Sequence, residues 1–124
     1  LTGETASEPD TTQRPWGSYV VLDEAADHKL KRIVVLPHKR LSLQTHRLRS
    51  EHWFVVRGIG VVTVGDTTVG VGAGDAVDIG VQVAHRVENT GDDDLVFIEV
   101  QHGESFSEDD IVRLEDDFGR ETPG

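Results

Sequence analysis

The chain has no cysteine, which removes disulfides and thiolate chemistry and leaves its redox compartment open. It is short of positive charge: 12 Lys and Arg stand against 23 Asp and Glu, for a formal net charge of −11. Nucleic-acid-binding surfaces ordinarily carry a basic stripe, so nucleic acid is not expected as a partner. No run approaches the roughly 18 apolar residues of a spanning helix, so no membrane association is expected. The opening residues are polar and acidic, without the apolar centre of a secretory signal, and a cytoplasmic protein is expected. An alternation of strands and helices is missing too, which argues against a doubly wound α/β domain.

What is there points to one all-β domain. A chain of 124 residues with 36% hydrophobic content is large enough for a single core and too small for two. Residues 1 to 13 have no periodicity and few apolar groups and read as a flexible tail. Residues 14 to 124 read as the folded domain. Short runs rich in Val, Ile and Thr predict strands at Ser18 to Leu22, Lys29 to Leu36, Arg40 to Thr45, His52 to Arg57, Gly60 to Gly65, Thr68 to Val71, Ala76 to Ile79, Ala84 to Glu88 and Leu95 to Gln101. Glycines punctuate them, among them Gly58, Gly65, Gly72, Gly74 and Gly91. Many short strands at regular spacing predict a sandwich or barrel. One helix is expected near the C-terminus. Ser107 would cap it, Glu108, Asp109 and Asp110 would fill its first turn as solvated acids, Ile111, Leu114 and Phe118 share a helical face, and Gly119 is a natural stop.

Chemistry concentrates in Gln44-Thr45-His46-Arg47-Leu48-Arg49-Ser50-Glu51-His52-Trp53. On a strand, Gln44 and His46 point to the same face, and Glu51 returns to it after a short polar link. His85 lies on a later strand-like run. One amide oxygen, two imidazoles and one carboxylate converging inside a barrel would hold a divalent metal, and their mixed N and O donors suit Zn²⁺, Mn²⁺, Fe²⁺, Co²⁺ or Ni²⁺ without choosing among them. His28, His38, His52 and His102 fall outside this pattern. The cations Lys29, Lys31, Arg32, Lys39, Arg40, Arg47 and Arg49 cluster in the same region, which suits a small phosphorylated ligand inside an acidic protein. Lys31 shares a strand face with Ile33 and Val35, where a cation is placed to act as a base or to bind phosphate. Glu99 alternates with Leu95 and Phe97 on a face expected to be buried, as a proton carrier or the partner of an arginine.

Two motif segments, His38-x5-Gln44-x-His46-x4-Glu51-x6-Gly58 and Gly74-x5-Gly80-x-Gln82-x2-His85-x3-Asn89, resemble the two motifs of the cupin superfamily. Gln44 stands where the first metal-binding histidine usually is. That substitution, with Arg14-Pro15-Trp16-Gly17-Ser18-Tyr19, His85-Arg86-x-Glu88-Asn89 and Glu108-Asp109-Asp110-Ile111-Val112-Arg113, resembles the cupin domain of type II mannose-6-phosphate isomerases. Such domains often form the C-terminal part of bifunctional enzymes that also carry a mannose-1-phosphate guanylyltransferase domain. The resemblance implies a double-stranded β-helix (a small jelly-roll barrel), a metal held by Gln44, His46, Glu51 and His85, and an aldose–ketose isomerase acting on a phosphorylated sugar. It points to Arg49 as a catalytic or substrate-binding arginine. Because arginine stays protonated it is a poor base, and phosphate binding or enediolate stabilisation is its expected role. Arg14, Tyr19, Arg113 and Arg120 are candidates to close over the ligand. A homodimer is expected by analogy with other small cupins. The alternative is a non-catalytic module that binds a sugar phosphate or nucleotide sugar beside a separate guanylyltransferase. Three positions depart from the family pattern: His38 and Gln82 stand where glycine is usual, and Gly80 where proline is. Negative φ is expected at His38 and Gln82, with altered loops.

Overall fold

The structure is a computed structural model that describes residues 10–121. Eleven strands follow one another among the described residues: β1 (Thr11–Arg14), β2 (Gly17–Glu24), β3 (His28–Val35), β4 (Leu43–Thr45), β5 (Arg49–Arg57), β6 (Gly60–Val64), β7 (Thr67–Val71), β8 (Ala76–Ile79), β9 (His85–Asn89), β10 (Leu95–Gly103) and β11 (Val112–Glu115). A six-stranded antiparallel sheet has the order β1-β2-β3-β10-β5-β8, and a five-stranded one the order β11-β4-β9-β6-β7. The apolar cluster between them draws Ile33, Val55 and Phe97 from the first sheet and Val62 and Val87 from the second. This is the jelly-roll barrel that the family resemblance implies, and one of the two architectures, sandwich or barrel, that the strand pattern predicts.

Period two explains the central strands. On β3, Lys31, Ile33 and Val35 are buried; on β5, Arg49, Glu51, Trp53 and Val55; on β10, Leu95, Phe97, Glu99 and Gln101. Register then sorts these inward side chains by polarity. Leu95 pairs with Val35, and Phe97 lies between Ile33 and Val55. Further along the same strands, Glu99 lies between Lys31 and Trp53, and Gln101 opposite Glu51. One end of the barrel interior is therefore closed with hydrocarbon, and the other is lined with ionisable and amide groups. The hydrocarbon end supplies the stability; truncating a fully buried Phe such as Phe97 costs about 3–5 kcal/mol. The polar end is left for chemistry.

The turns that carry the motif departures keep a left-handed residue. Lys39 N–H donates to Leu36 O at 3.1 Å and Val83 N–H to Gly80 O at 3.3 Å, closing two four-residue turns. Their third residues are His38 and Gln82, with φ of 61° and 64°. The negative φ expected at both positions is therefore corrected. A turn of this kind needs positive φ at its third residue, which is why glycine is usual there. A non-glycine residue held at such a φ carries backbone strain on the order of 1 kcal/mol. At Gly58 the left-handed conformation is met by glycine itself, with φ of 93°. A Cβ there would sit 2.7 Å from the Asp94 carbonyl oxygen.

The C-terminal helix is corrected. Ser107 does cap: its hydroxyl accepts from Asp109 N–H at 3.0 Å. The helix ends after one 3-10 turn, Glu108–Asp110, and the chain continues extended as β11, pairing with β4 through Val112↔Thr45 and Arg113↔Gln44. Ile111 and Val112 are β-branched and favour strand. The competing partner is the edge of β4, which would otherwise present unpaired backbone groups. Of the tail expected over residues 1 to 13, residues 1–9 lie outside the described residues, while Thr11 to Gln13 belong to β1 and pair with Val20 to Ser18.

Candidate metal centre

Four strands deliver the site. Gln44 on β4 lies opposite His85 on β9. His46 follows β4 directly, and its carbonyl accepts the Gln82 N–H at 2.7 Å, which ties the two motif loops together. Glu51 enters from β5 on the facing sheet, beside Gln101 of β10. His46, Glu51 and His85 are 3%, 4% and 2% exposed, and one ligand atom from each lies within 4.8 Å of the others. Gln44 is half-buried and lines the same cavity, its Nε2 donating to Ser42 Oγ at 3.0 Å.

The imidazole tautomers are set by the backbone. His46 Nδ1 lies 3.0 Å from the Asp110 carbonyl oxygen, and His85 Nδ1 lies 2.8 Å from that of Val83. A carbonyl only accepts, so each Nδ1 carries a proton and donates. That leaves both Nε2 atoms facing the carboxylate, His46 Nε2 at 3.2 Å from Glu51 Oε2 and His85 Nε2 at 3.5 Å from Oε1. Three lone-pair donors this close need positive charge between them, supplied by protons on Nε2 or by a cation. Ligating histidines are ordinarily oriented in this way through the other ring nitrogen. The donor set fits a divalent metal. Burial opposes ionisation of Glu51, but hydrogen bonding and charge from His46 and His85 outweigh it and hold its carboxyl well below the usual range.

Around this group the barrel is filled with linked polar side chains. Arg49, 3% exposed, donates through Nε to Glu51 Oε2 at 3.3 Å and through Nη1 to the Ser107 carbonyl at 3.1 Å. Trp53 Nε1–H is shared between Glu51 Oε1 at 3.2 Å and Glu99 Oε2 at 3.0 Å. Gln101 Nε2 donates to Glu99 Oε1 at 2.7 Å. Burial, then the neighbouring Glu51 charge, pushes the Glu99 carboxyl up to about 8. Lys31 is buried as its strand position predicts; its ammonium lies 3.3 Å from Glu108 Oε2 and 4.1 Å from the centre of the Tyr19 ring. Gly103 is required where β10 passes the start of β5, since with φ of 154° any Cβ would collide with the Leu48 carbonyl oxygen.

Arg49, Lys31 and Glu99 thus line one cavity with Gln44, His46, Glu51 and His85. Arg14, Tyr19, Arg113 and Arg120 line it as well. The remaining histidines with contacts pair on the exterior with aspartates: His28 with Asp23 and Asp27, His38 with Asp92, His52 with Asp78. Several contributors escape a reading of the sequence. Trp53 reads as core, and nothing local shows that its indole N–H bridges two carboxylates. The carbonyls of Asp110 and Val83 have no signature at all. Glu108, partly solvated as expected with its side chain 40% exposed, also turns to Lys31 and the cavity; burial works against its ionisation, but the Lys31 and Arg49 charges hold its carboxyl below the ordinary value. Asp110 is also more than a helix-start acid: its carboxylate accepts Arg47 N–H at 3.1 Å and Leu48 N–H at 2.9 Å, holding the loop between His46 and Arg49.

Known proteins resemble this chain in fold and in sequence. CapF, a capsular polysaccharide assembling protein of Staphylococcus aureus, superposes with a TM-score of 0.76 at 24% identity, covering 89% of this chain and 35% of that one. Oxalate decarboxylase of Lactobacillus farciminis gives 0.74 at 22% identity, over 86% and 33%. At these identities the likeness establishes the cupin fold alone. Sequence relatives are nearer. The xanthan biosynthesis protein XanB of Xanthomonas campestris pv. campestris and the alginate biosynthesis protein AlgA of Pseudomonas aeruginosa are each 46% identical over 107 residues, 86% of this chain. The mannose-1-phosphate guanylyltransferase ManC of Salmonella typhimurium is 41% identical over the same share. The chain spans 23%, 22% and 22% of these three relatives, so it corresponds to one part of much longer proteins. The family model for the mannose-6-phosphate isomerase C-terminal region matches residues 3–116, and the chain belongs to that family.

Proposed function

We propose that this domain is a metal-dependent isomerase interconverting mannose 6-phosphate and fructose 6-phosphate. The observation that carries the reading is the His46–Glu51–His85 group, whose imidazoles are both locked with Nε2 toward the carboxylate. A divalent cation held there by His46, Glu51, His85 and Gln44 would polarise the oxygens on C1 and C2 and lower the cost of the negative charge that develops on them. Isomerisation takes a proton from C2 of the aldose, moves a hydroxyl proton from O2 to O1, and returns a proton to C1. Arg49 contacts Glu51 directly and so stands at the reacting end, where its fixed charge stabilises an enediolate. Glu99, one indole away from Glu51, is placed to exchange a proton with the sugar hydroxyls. Gln101 Oε1 is buried without a hydrogen-bond partner; a sugar hydroxyl would satisfy it. Lys31, paired with Glu108 over an aromatic face, suits an anion-binding cation better than a base.

The test is a coupled assay of mannose 6-phosphate conversion with Mn²⁺, Co²⁺ or Zn²⁺, with and without a chelator. Turnover that stops on chelation is the expected result. His46→Ala and His85→Ala are expected to lose metal and at least about a hundredfold in rate while circular dichroism still reports a folded barrel. Activity surviving both changes overturns the assignment. A second reading is supported by relatives such as ManC, whose name is that of a guanylyltransferase and of whose length this chain spans 22%. On that reading the barrel binds a sugar phosphate without turning it over and accompanies a separate guanylyltransferase. Metal and ligand binding without isomerisation would favour it.

A further inference from the structure

Strands β5 and β10 are apolar on both faces. Trp53 and Val55 point into the barrel, but Phe54 and Val56 alternate with them; Val96, Ile98 and Val100 alternate in the same way with Leu95, Phe97 and Glu99. A sheet that meets water on one side ordinarily alternates apolar with polar residues, whereas unbroken apolar runs mark strands covered on both sides. Register gathers the outward side chains into rows. One row, Val20–Arg32–Ile98–Phe54–Ala76, crosses β2, β3, β10, β5 and β8. The rows on either side of it are Leu30–Val100–His52–Asp78 and Ser18–Val34–Val96. Val56 adjoins them where the register of β5 and β10 shifts. Phe54 and Val56 are 45% and 41% exposed although β5 is not an edge strand. An aromatic side chain in an apolar patch with a polar border is the usual centre of a protein interface.

Charge and size indicate the partner. The chain carries 23 Asp and Glu and a net charge of −11, so two copies repel one another over most of their surface. The three rows hold a single acid, Asp78, and its carboxylate lies 2.6 Å from His52 Nδ1. They hold a single permanent cation, Arg32. Such a face offers little to a strongly charged partner, and it is a place where two acidic copies meet without opposing charge. Five strands at about 4.8 Å, with about six residues of each at about 3.4 Å, give roughly 24 Å by 20 Å, about 480 Å² in plan. Two copies then cover about 1,000 Å² before the relief of the side chains is counted, which is the lower end for specific association. Sheets pack face to face about 10 Å apart, and a two-fold axis lets one patch serve both copies.

We propose that the outer face of the six-stranded sheet packs against the same face of a second copy of this chain, with Phe54 at the centre of the contact. The two sheets meet face to face, and their edges stay unjoined. The proposal does not depend on the isomerase reading. Sedimentation velocity over a dilution series is expected to show a monomer–dimer equilibrium with a Kd in the micromolar range, as suits a small interface. Phe54→Lys and Val56→Lys each set a charge in the apolar patch and are expected to weaken the dimer at least about a hundredfold. Both side chains are exposed in the single chain, so the variants are expected to fold, which circular dichroism checks; either one suffices if the other fails. Thr68→Lys adds the same charge at an exposed position of β7 in the other sheet and is expected to leave the dimer unchanged. Added salt is expected to tighten the dimer, because it screens the repulsion between two acidic copies. A chain that stays monomeric at the highest concentration overturns the proposal and leaves the face to a different protein. A dimer that persists in the folded Phe54→Lys and Val56→Lys variants overturns it as well, since pairing through sheet edges would not sense either side chain. Weakening by salt, or equal loss of the dimer in Thr68→Lys, would point to an ionic contact elsewhere and also end it.

Discussion

At the scale of single residues, His38 and Gln82 separate backbone path from side-chain identity. Both occupy turn positions that ask for glycine, and both accept a left-handed φ. Gln82 is the simpler test, because its side chain is exposed and its main contact is the backbone bond to the His46 carbonyl. Gln82→Gly is expected to raise unfolding stability by up to about 1 kcal/mol, the strain relieved less the added freedom of the unfolded glycine. Chemical denaturation would measure it, and a loss of stability would contradict the assigned strain. His38 is less clean, since its ring also pairs with Asp92 at 2.8 Å.

Among the elements, the segment from Ser107 to Glu115 carries more of the site than its composition suggests. Its 3-10 turn orients His46 through the Asp110 carbonyl, holds the Arg47–Leu48 backbone through the Asp110 carboxylate, and sets Glu108 against Lys31. None of these groups belongs to the metal set. Removing the carboxylate frees the loop that lies between His46 and Arg49. Asp110→Ala is therefore expected to weaken metal binding about tenfold, in the range found when groups supporting metal ligands are removed. Competition with a metal-binding dye would measure it. Unchanged affinity would show that the Asp110 carbonyl alone is enough to orient the ring.

For the whole molecule, the barrel divides its interior into a hydrocarbon end and a polar end, and the polar end holds buried charge that costs stability until it is compensated. A cation that binds only the folded state offsets that cost by linkage. At a hundredfold excess over its dissociation constant it should add about 2.7 kcal/mol, a rise in Tm on the order of 10 °C for a domain of this size. Thermal melts with metal, with chelator, and on His46→Ala would show it. The rise is expected to vanish in the last two, and a rise that persists in His46→Ala would place the cation elsewhere.

The β-rich architecture, most strand positions and the four candidate ligands were legible in the chain, because period-two alternation and fixed ligand spacing are local properties that short windows display. Residues 107 to 119 show where that legibility ends. Ser107, the following acids and the i, i+3, i+7 apolar set are all compatible with a helix, and only the unpaired edge of β4, distant in sequence, draws the chain into a strand. Trp53 and Glu108 teach the same lesson for side chains: an indole reads as core and an acid as solvated until another strand sets a charged partner beside it. Residue order determined which groups face inward. Tertiary pairing decided which of them meet, because hydrogen-bond partners and the charge balance of a cavity come from several strands at once.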